Sequence, residues 1–171
     1  MGVVYRHTVE AFIGQLVRRR NLMTDAELAT FQAHPPRDLE VEQWVRFVRA
    51  VAARLSPGAT DADALEEAGR EMIRGYAAGL VGRSVFLVAK LMGPRRTLMR
   101  LPENYRTADN VMDATVTPRG DREVLVHFKS VFGMPTYVRG VLSEMLKELG
   151  VQSRITFEVG PLGVDYVVTW A

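Results

Sequence analysis

The side chains that most often carry out chemistry are few in this sequence, and their spacing matches none of the common catalytic patterns. Cysteine is absent, which excludes a thiol nucleophile and any cysteine-ligated metal. The histidines His7, His34 and His127 lie far apart, and none forms a metal-ligand motif such as His-Glu-x-x-His. The serines lack the Gly-x-Ser-x-Gly context of a hydrolase nucleophile. We therefore predict no catalytic residues, no metal site and a non-enzymatic protein.

Glycines mark the stretch Asp61–Met92, whose periodicity predicts one long helix with a largely apolar and most deeply buried second half. At steps of four and three residues, Gly75, Gly79 and Gly82 fall on one face of this helix. Three glycines in a helix cost about 3 kcal/mol relative to alanine. The face therefore serves either close packing against a neighbouring element or a groove for a ligand, and the sequence leaves both open.

Arg83 interrupts the apolar half of the predicted helix, and a guanidinium among apolar neighbours has to be paired or reach water. One interpretation is a salt bridge to a carboxylate such as Asp109 or Asp113, or hydrogen bonds to loop carbonyls. The other is an anchor for an anionic ligand at the mouth of a pocket beside the glycines, where Tyr105 and Tyr137 could supply further polar groups. The candidate ligand site comprises Gly75, Gly79, Gly82, Arg83, Tyr105 and Tyr137.

A basic connector follows the predicted helix, with Arg95, Arg96 and Arg100 close together in the chain. These arginines indicate a solvated surface, a site for an acidic protein partner or another anion, or a nucleic-acid contact. A net charge of +2 is too small to indicate nucleic acid by itself. The sequence also lacks a helix-turn-helix pattern, so nucleic acid is the weakest of the three interpretations.

The order of the predicted elements indicates the fold class. About four helices occupy residues 1–106, and alternating apolar positions replace helical periodicity from about residue 107. Two strands, a helix over Met134–Leu149 and a closing hairpin then follow. This order predicts an α+β fold, with a helical layer packed on a four-stranded antiparallel sheet and a crossover helix between the second and third strands. A chain of 171 residues suits a single domain, 1–171, with a helical part and a sheet part from about 107 to 171.

Several motifs in the second half of the chain carry a family resemblance. They are Gly82-Arg83, Gly93-Pro94-Arg95-Arg96, Leu101-Pro102 through Arg106, Tyr137–Leu142 and Tyr166–Trp170. In this order they resemble the signature of a myxobacterial paralogous family of unknown function, over most of the chain from Leu39 onward. The resemblance implies no chemistry that could be transferred to these residues.

The order of elements is also similar to that of haem–nitric-oxide-binding domains, vinyl-reductase-type (V4R) ligand domains and Bet3 proteins. This likeness implies a helical layer over an antiparallel sheet, sometimes with an apolar pocket between them, and often a dimer. Haem binding would require an axial histidine on a helix that faces a pocket, together with a Tyr-x-Ser-x-Arg motif for the propionates. That motif is absent from the sequence, so we expect no cofactor and disfavour haem.

These features favour a non-enzymatic, cytoplasmic interaction or sensory module that acts in regulation by binding a partner protein, with a homodimer as a further possibility. The alternative is a small-molecule-binding domain whose pocket lies beside Gly75, Gly79 and Gly82. Nucleic-acid binding is a weaker alternative. No stretch of about 18 apolar residues predicts a transmembrane segment.

Overall fold

Helices fill the first part of the chain in the computed structural model, which describes residues 2–171. They are α1 (Arg6–Phe12) with a π-helical continuation (Ile13–Arg18), α2 (Asp25–Thr30), α3 (Val41–Leu55), α4 (Asp61–Ala78), α5 (Leu80–Met92), α6 (Pro94–Met99) and α7 (Leu101–Ala108). Two short strands, β1 (Val3–Val4) and β2 (Leu39–Glu40), pair antiparallel within this part. The helices are shorter and more numerous than the four that the sequence predicted.

Side-chain caps fix the starts of several helices. Thr24 accepts a hydrogen bond from the backbone N–H of Glu27, whose carboxylate accepts one from the Thr24 backbone in return. The reciprocal arrangement of Glu40 with Gln43 begins α3. Because these caps satisfy backbone groups that a helix leaves unpaired at its start, α2 and α3 begin where the sequence places a capping residue.

The second part of the chain is an antiparallel sheet covered by one helix. The strands are β3 (Ala114–Pro118), β4 (Glu123–Phe128), β5 (Ser153–Gly160) and β6 (Gly163–Trp170), in the spatial order β3-β4-β6-β5, and α8 (Pro135–Glu148) connects β4 to β5. Val124, Val126 and Phe128 are fully buried on one face of β4, while the residues between them are partly exposed. The predicted α+β fold, with its crossover helix between the second and third sheet strands, is confirmed.

Two hydrophobic cores lie on either side of α4 and α8. The first core contains Phe12 and Phe47 from α1 and α3, and the second contains Phe128, Leu142 and Tyr166 from the sheet and α8. The two helices cross in close backbone contact. A Cβ atom on Gly69 would lie 3.0 Å from the backbone nitrogen of Val141, and one on Gly140 would lie 2.9 Å from the carbonyl carbon of Glu66. Glycine on both sides therefore allows the backbones of α4 and α8 to meet.

The prediction of one helix over Asp61–Met92 is wrong, because the chain bends by 96° between α4 and α5. Gly79 lies at the bend in an extended conformation, with φ −75° and ψ 159°. The helical periodicity of the apolar residues continues across this glycine, so the pattern alone does not reveal the bend. Within residues 2–171 no single helix is long and apolar enough to cross a membrane, and α4 and α5 meet that criterion only together, as this bent pair.

Candidate functional site

The three predicted glycines do not share one helical face, because they lie on both sides of the bend. A Cβ atom on Gly75 would lie 2.8 Å from the carbonyl carbon of Gln15, and one on Gly82 would lie 2.5 Å from that of Tyr76. Real Cβ atoms essentially never approach other atoms that closely, whereas a Cβ on Gly79 would meet only an ordinary contact at 3.4 Å. The positions where side chains would project from Gly75 and Gly82 are therefore occupied by backbone, as in the close-packing interpretation.

Arg83 lies in solvent on α5, and the predicted salt bridge to Asp109 or Asp113 is wrong. Asp113 instead binds the Lys129 ammonium, with 2.7 Å between Oδ2 and Nζ. Asp109 is buried and accepts hydrogen bonds from the backbone N–H groups two and three residues further along the chain. Within residues 2–171 Arg83 has no ion-pair partner, because α5 turns this side chain away from the cores.

Tyr105 and Tyr137 both pack at the second core. The Tyr105 ring packs edge-on against Phe128, with 4.9 Å between ring centroids. Burial raises the pKa of both tyrosines well above the ordinary value, and the nearby charge of Asp109 adds to this for Tyr105. The Tyr166 hydroxyl, on the same core, donates a hydrogen bond to the backbone carbonyl of Pro135 at 2.8 Å. The structure thus brings two of the six predicted ligand residues together.

The prediction that the apolar half of the long helix is the most buried is wrong. Helix α5 buries only Gly82, Phe86 and Ala89, whereas Leu80 and Leu91 are each 83% exposed. We name the exposed side chains of α5 and α6 the α5–α6 surface. Its apolar members are Leu80, Val81, Val85, Leu87, Val88, Leu91 and Met99, and its cations are Arg83, Lys90, Arg95, Arg96 and Arg100.

The geometry of a helix arranges these residues in a definite pattern around α5. At about 100° per residue, the exposed leucines and valines of α5 cover an arc of roughly 160° on the side away from its buried residues. Arg83 and Lys90 lie along one border of this arc. The apolar arc is wider than the apolar stripe of an ordinary surface helix, and it faces solvent rather than the core.

The side chains of the α5–α6 surface that carry charge are all positive. Residues 80–100 contain five cations and no aspartate or glutamate. Arg95, Arg96 and Arg100, the predicted anion surface, line one open depression of about 540 Å³ together with Met92 and Met99. Among the described residues the one acidic side chain paired with this surface is that of Asp121, at 3.8 Å from Arg95 Nη1. The structure therefore brings the three predicted arginines together on an apolar floor.

A buried ion network is a second feature that sequence reasoning missed. Glu71 and Glu144 are almost fully buried, and Arg74 bridges them at 2.6 Å and 3.1 Å, while Arg19 and Arg20 also approach Glu71. Burial by itself would raise the pKa of Glu71, but the hydrogen bond from Arg74 and the charges of the other two arginines outweigh it and lower that pKa. The network joins α4 to α8 and to the turn that follows the π-helical segment, and all its charges are paired within the protein.

The chain belongs to DUF2378, a family of proteins of unknown function, because residues 3–171 match that family. This match confirms the resemblance to a family of unknown function that the motifs indicated. No curated protein matches the chain.

Solved structures of H-NOX proteins share the fold of the whole chain. The Fe(II) unliganded H-NOX protein from K. algicida is 10% identical with a TM-score of 0.65, and the match covers 98% of this chain and 96% of that protein. A variant of the T. tengcongensis H-NOX is 16% identical with a TM-score of 0.67, and the match covers 96% of each chain. A third structure, described as modulating haem redox potential through protein-induced porphyrin distortion, is 16% identical with a TM-score of 0.71, over 96% of this chain and 94% of that one. At these identities the likeness establishes the fold.

These neighbours contradict the expectation that the chain has no cofactor and that haem is disfavoured. That expectation depended on one missing motif, and a short motif is a weaker guide than the course of the whole backbone.

The three histidines show how far the described residues fit a haem. His7 is exposed on α1, His34 lies in the loop after α2, and His127 lies on β4 with its Nδ1 2.6 Å from Asp165 Oδ1. Since none of them stands on a helix that faces the second core, the residues do not fit a histidine-ligated haem.

Proposed function

We propose that this member of the DUF2378 family is a non-enzymatic interaction module of sensory type, which acts by docking its α5–α6 surface onto an anionic partner. The observation that carries this proposal is the exposed arc of leucine and valine side chains, bordered by cations and free of acidic residues in its own segment. The fold, which the chain shares with H-NOX proteins, supports a sensory role.

The exposed apolar residues are difficult to explain without a binding partner. Burying one leucine or valine side chain stabilises a protein by about 1.5–3 kcal/mol. Here Leu80, Leu87 and Leu91 are 83%, 63% and 83% exposed on the same helix. Large contiguous apolar patches on monomeric proteins usually mark interaction sites. A partner that covers this arc would bury these side chains, and the resulting hydrophobic stabilisation would favour the complex.

The distribution of polar groups supports a binding role rather than catalysis. Among residues 2–171 no three histidine, aspartate or glutamate side chains are placed to hold a metal ion. Of the three buried carboxylates, Glu71 and Glu144 bind arginines of the same chain, and Asp109 accepts hydrogen bonds from two backbone N–H groups. The cations with the fewest partners lie instead around the α5–α6 surface.

Site-specific photo-crosslinking in cells tests the proposed docking. A photo-crosslinking amino acid replaces Leu87 in one sample and Leu162 in the other, since Leu162 is also strongly exposed, at 81%, but lies in the turn between β5 and β6. We expect an adduct with a protein or a lipid from position 87, and a lower yield when Arg95→Glu and Arg96→Glu are introduced. Equal yields from both positions, or no adduct at position 87, would refute the proposal.

A second candidate function, the binding of a small molecule, is favoured by the fold that the chain shares with H-NOX proteins. Tyr105 and Tyr137, which both pack at the second core, would supply polar groups for such a molecule. Native mass spectrometry of freshly purified protein would reveal a bound molecule, haem included, as an added mass. We expect Tyr105→Phe with Tyr137→Phe to lose that mass and Tyr5→Phe to keep it. A clean protein mass from several expression hosts counts against this candidate.

A further inference from the structure

The shape of the α5–α6 surface indicates what kind of partner it fits. Helix α5 leaves the end of α4 at 96° and touches the rest of the protein only along the side that carries Gly82, Phe86 and Ala89. Its outer side is therefore a convex ridge rather than a groove. A ridge of this kind can lie flat in the boundary between the headgroups and acyl chains of a bilayer, as amphipathic interfacial helices do.

The chemistry of the ridge matches lipid better than a protein pocket. Its exposed apolar side chains are leucine, valine and methionine, and none of them is aromatic. Protein interfaces obtain most of their binding energy from a few tryptophan, tyrosine and arginine side chains that fill complementary pockets. Fluid acyl chains need no such complementarity, so an aliphatic ridge gains from burial in them at every position.

The charges specify the kind of lipid. Arg83 and Lys90 border the apolar arc, and Arg95, Arg96 and Arg100 continue the positive charge at the end of α5. Long basic side chains can extend from an apolar surface towards a polar layer, which places these cations at headgroup level. Anionic headgroups attract them, and each cation near such a surface strengthens binding several-fold.

A second copy of the chain fits this surface poorly. In a symmetric dimer the same patch meets itself, so the cations of one copy would face those of the other. Residues 80–100 contain no carboxylate that could neutralise them. Like charges placed opposite each other disfavour association.

We infer that the α5–α6 surface binds an anionic lipid bilayer, with α5 lying in the plane of the interface. This inference rests on the proposed docking function and specifies its partner. The attachment is peripheral and reversible, since it buries one face of a helix of 13 residues.

Co-sedimentation of the full chain with lipid vesicles tests the inference. The vesicles consist either of phosphatidylcholine alone or of phosphatidylcholine mixed with phosphatidylserine. We expect binding to the mixed vesicles that weakens as salt is added, and little binding to the neutral ones. Each cation removed should weaken binding roughly fivefold, so Arg95→Ala with Arg96→Ala should weaken it roughly 30-fold.

Matched variants distinguish binding through the α5–α6 surface from nonspecific adsorption of the protein to vesicles. Leu91→Asp should abolish vesicle binding, whereas Leu162→Asp, at a leucine of nearly equal exposure, should leave it unchanged. Arg154 is exposed on β5, at the far edge of the sheet from β3, so Arg154→Ala controls for Arg96→Ala. All of these changes lie on exposed side chains, and circular dichroism verifies that each variant is folded.

The possible outcomes distinguish this inference from the proposed function. If no vesicle binds but position 87 crosslinks to a protein, the bilayer is the wrong partner and the docking function stands. If the chain self-associates, and Leu91→Asp abolishes this, a second copy is the occupant and the inference is overturned. If neither vesicles nor crosslinked partners are found, both proposals are wrong.

Discussion

Replacing Gly75 by alanine should destabilise the protein, because the space for a side chain at this position is already occupied. The new Cβ atom would lie 2.8 Å from the carbonyl carbon of Gln15, which is 0.6 Å short of the 3.4 Å at which ordinary contact begins, and closer still to the carbonyl oxygen. Both partners are backbone, so neither can rotate away. The Arg19 Nε that donates to the same oxygen at 2.8 Å would also be displaced.

Two opposing terms set the magnitude of the Gly75→Ala effect. Overpacking typically costs about 1–3 kcal/mol, and a contact between two backbones belongs at the upper end of that range. Replacing a helical glycine by alanine contributes about 1 kcal/mol in the opposite direction. We therefore expect the free energy of unfolding to fall by about 2 kcal/mol, which corresponds to a drop of roughly 4–8 °C in Tm for a chain of this size.

Urea unfolding followed by circular dichroism measures this change, and Gly14 provides the matched control. Gly14 lies in the π-helical segment next to Gln15, and a Cβ atom there would have no neighbour within 4 Å. Gly14→Ala should therefore raise stability by up to about 1 kcal/mol. If Gly75→Ala proved as stable as the wild-type protein, the space beside Gly75 would be open, and a groove for a ligand would become the better interpretation.

Two further changes test the interior. Glu71→Gln should lower stability by about 1–2 kcal/mol at neutral pH, because it removes the buried charge that pairs with Arg19 and Arg20, whereas Glu10→Gln in an exposed pair should cost less than about 0.5 kcal/mol. The pKa of Glu71 is lower in the folded protein, so its contribution to stability is complete at a pH above the ordinary value of 4.5. Urea titrations at a pH below 4.5 should therefore show a smaller difference in stability between the Glu71→Gln variant and the wild-type protein. Tyr166→Phe removes a buried 2.8 Å hydrogen bond to a backbone carbonyl, and scanning calorimetry should show a loss of about 1–2 kcal/mol. An unchanged Tm would mean that this carbonyl finds another donor.

The sequence was sufficient to predict the fold class, because the change from helical to alternating periodicity near residue 107 is a local property. Strand β4 illustrates this: Val124, Val126 and Phe128 alternate with more polar residues, and the structure buries those three. The crossover helix α8 follows from its own apolar face and from Gly150, which ends it with a φ of +85°. Such signals depend on neighbouring residues only.

The burial of α5 could not be predicted in the same way, because periodicity shows which residues are apolar but not what covers them. An apolar helix in the core and an apolar helix that awaits a partner have the same composition. The available signal was electrostatic: Arg83 and Lys90 lie within the apolar run, and no acidic residue occurs between Leu80 and Arg100. A helix that was fully buried would need carboxylates to pair with those cations.

Some of the close backbone contacts at glycine could also be expected from the sequence, and others could not. Gly75 could be singled out from the sequence because glycine is unfavourable inside a helix, although the sequence left close packing and a ligand groove both open. Gly69 and Gly140 were not identified, although they meet the opposite helix equally closely, because two positions 71 residues apart in the chain gain their meaning only when α4 and α8 cross. The ion network around Glu71 was missed for the same reason, since its arginines come from α4 and from the turn after the π-helical segment.

The bend at Gly79 connects the packing of the protein with its proposed docking surface. Because Gly82 has no side chain, the first turn of α5 can press against the Tyr76 carbonyl group, and α5 then continues at 96° to α4. A straight continuation of α4 would carry the same leucines along a different direction, with a different set of neighbours. The bend instead anchors α5 through one narrow side that includes Phe86 and leaves the aliphatic arc in water. Since that exposure is unfavourable in the free protein, the free energy gained when a partner covers the arc favours the docked state over the free one.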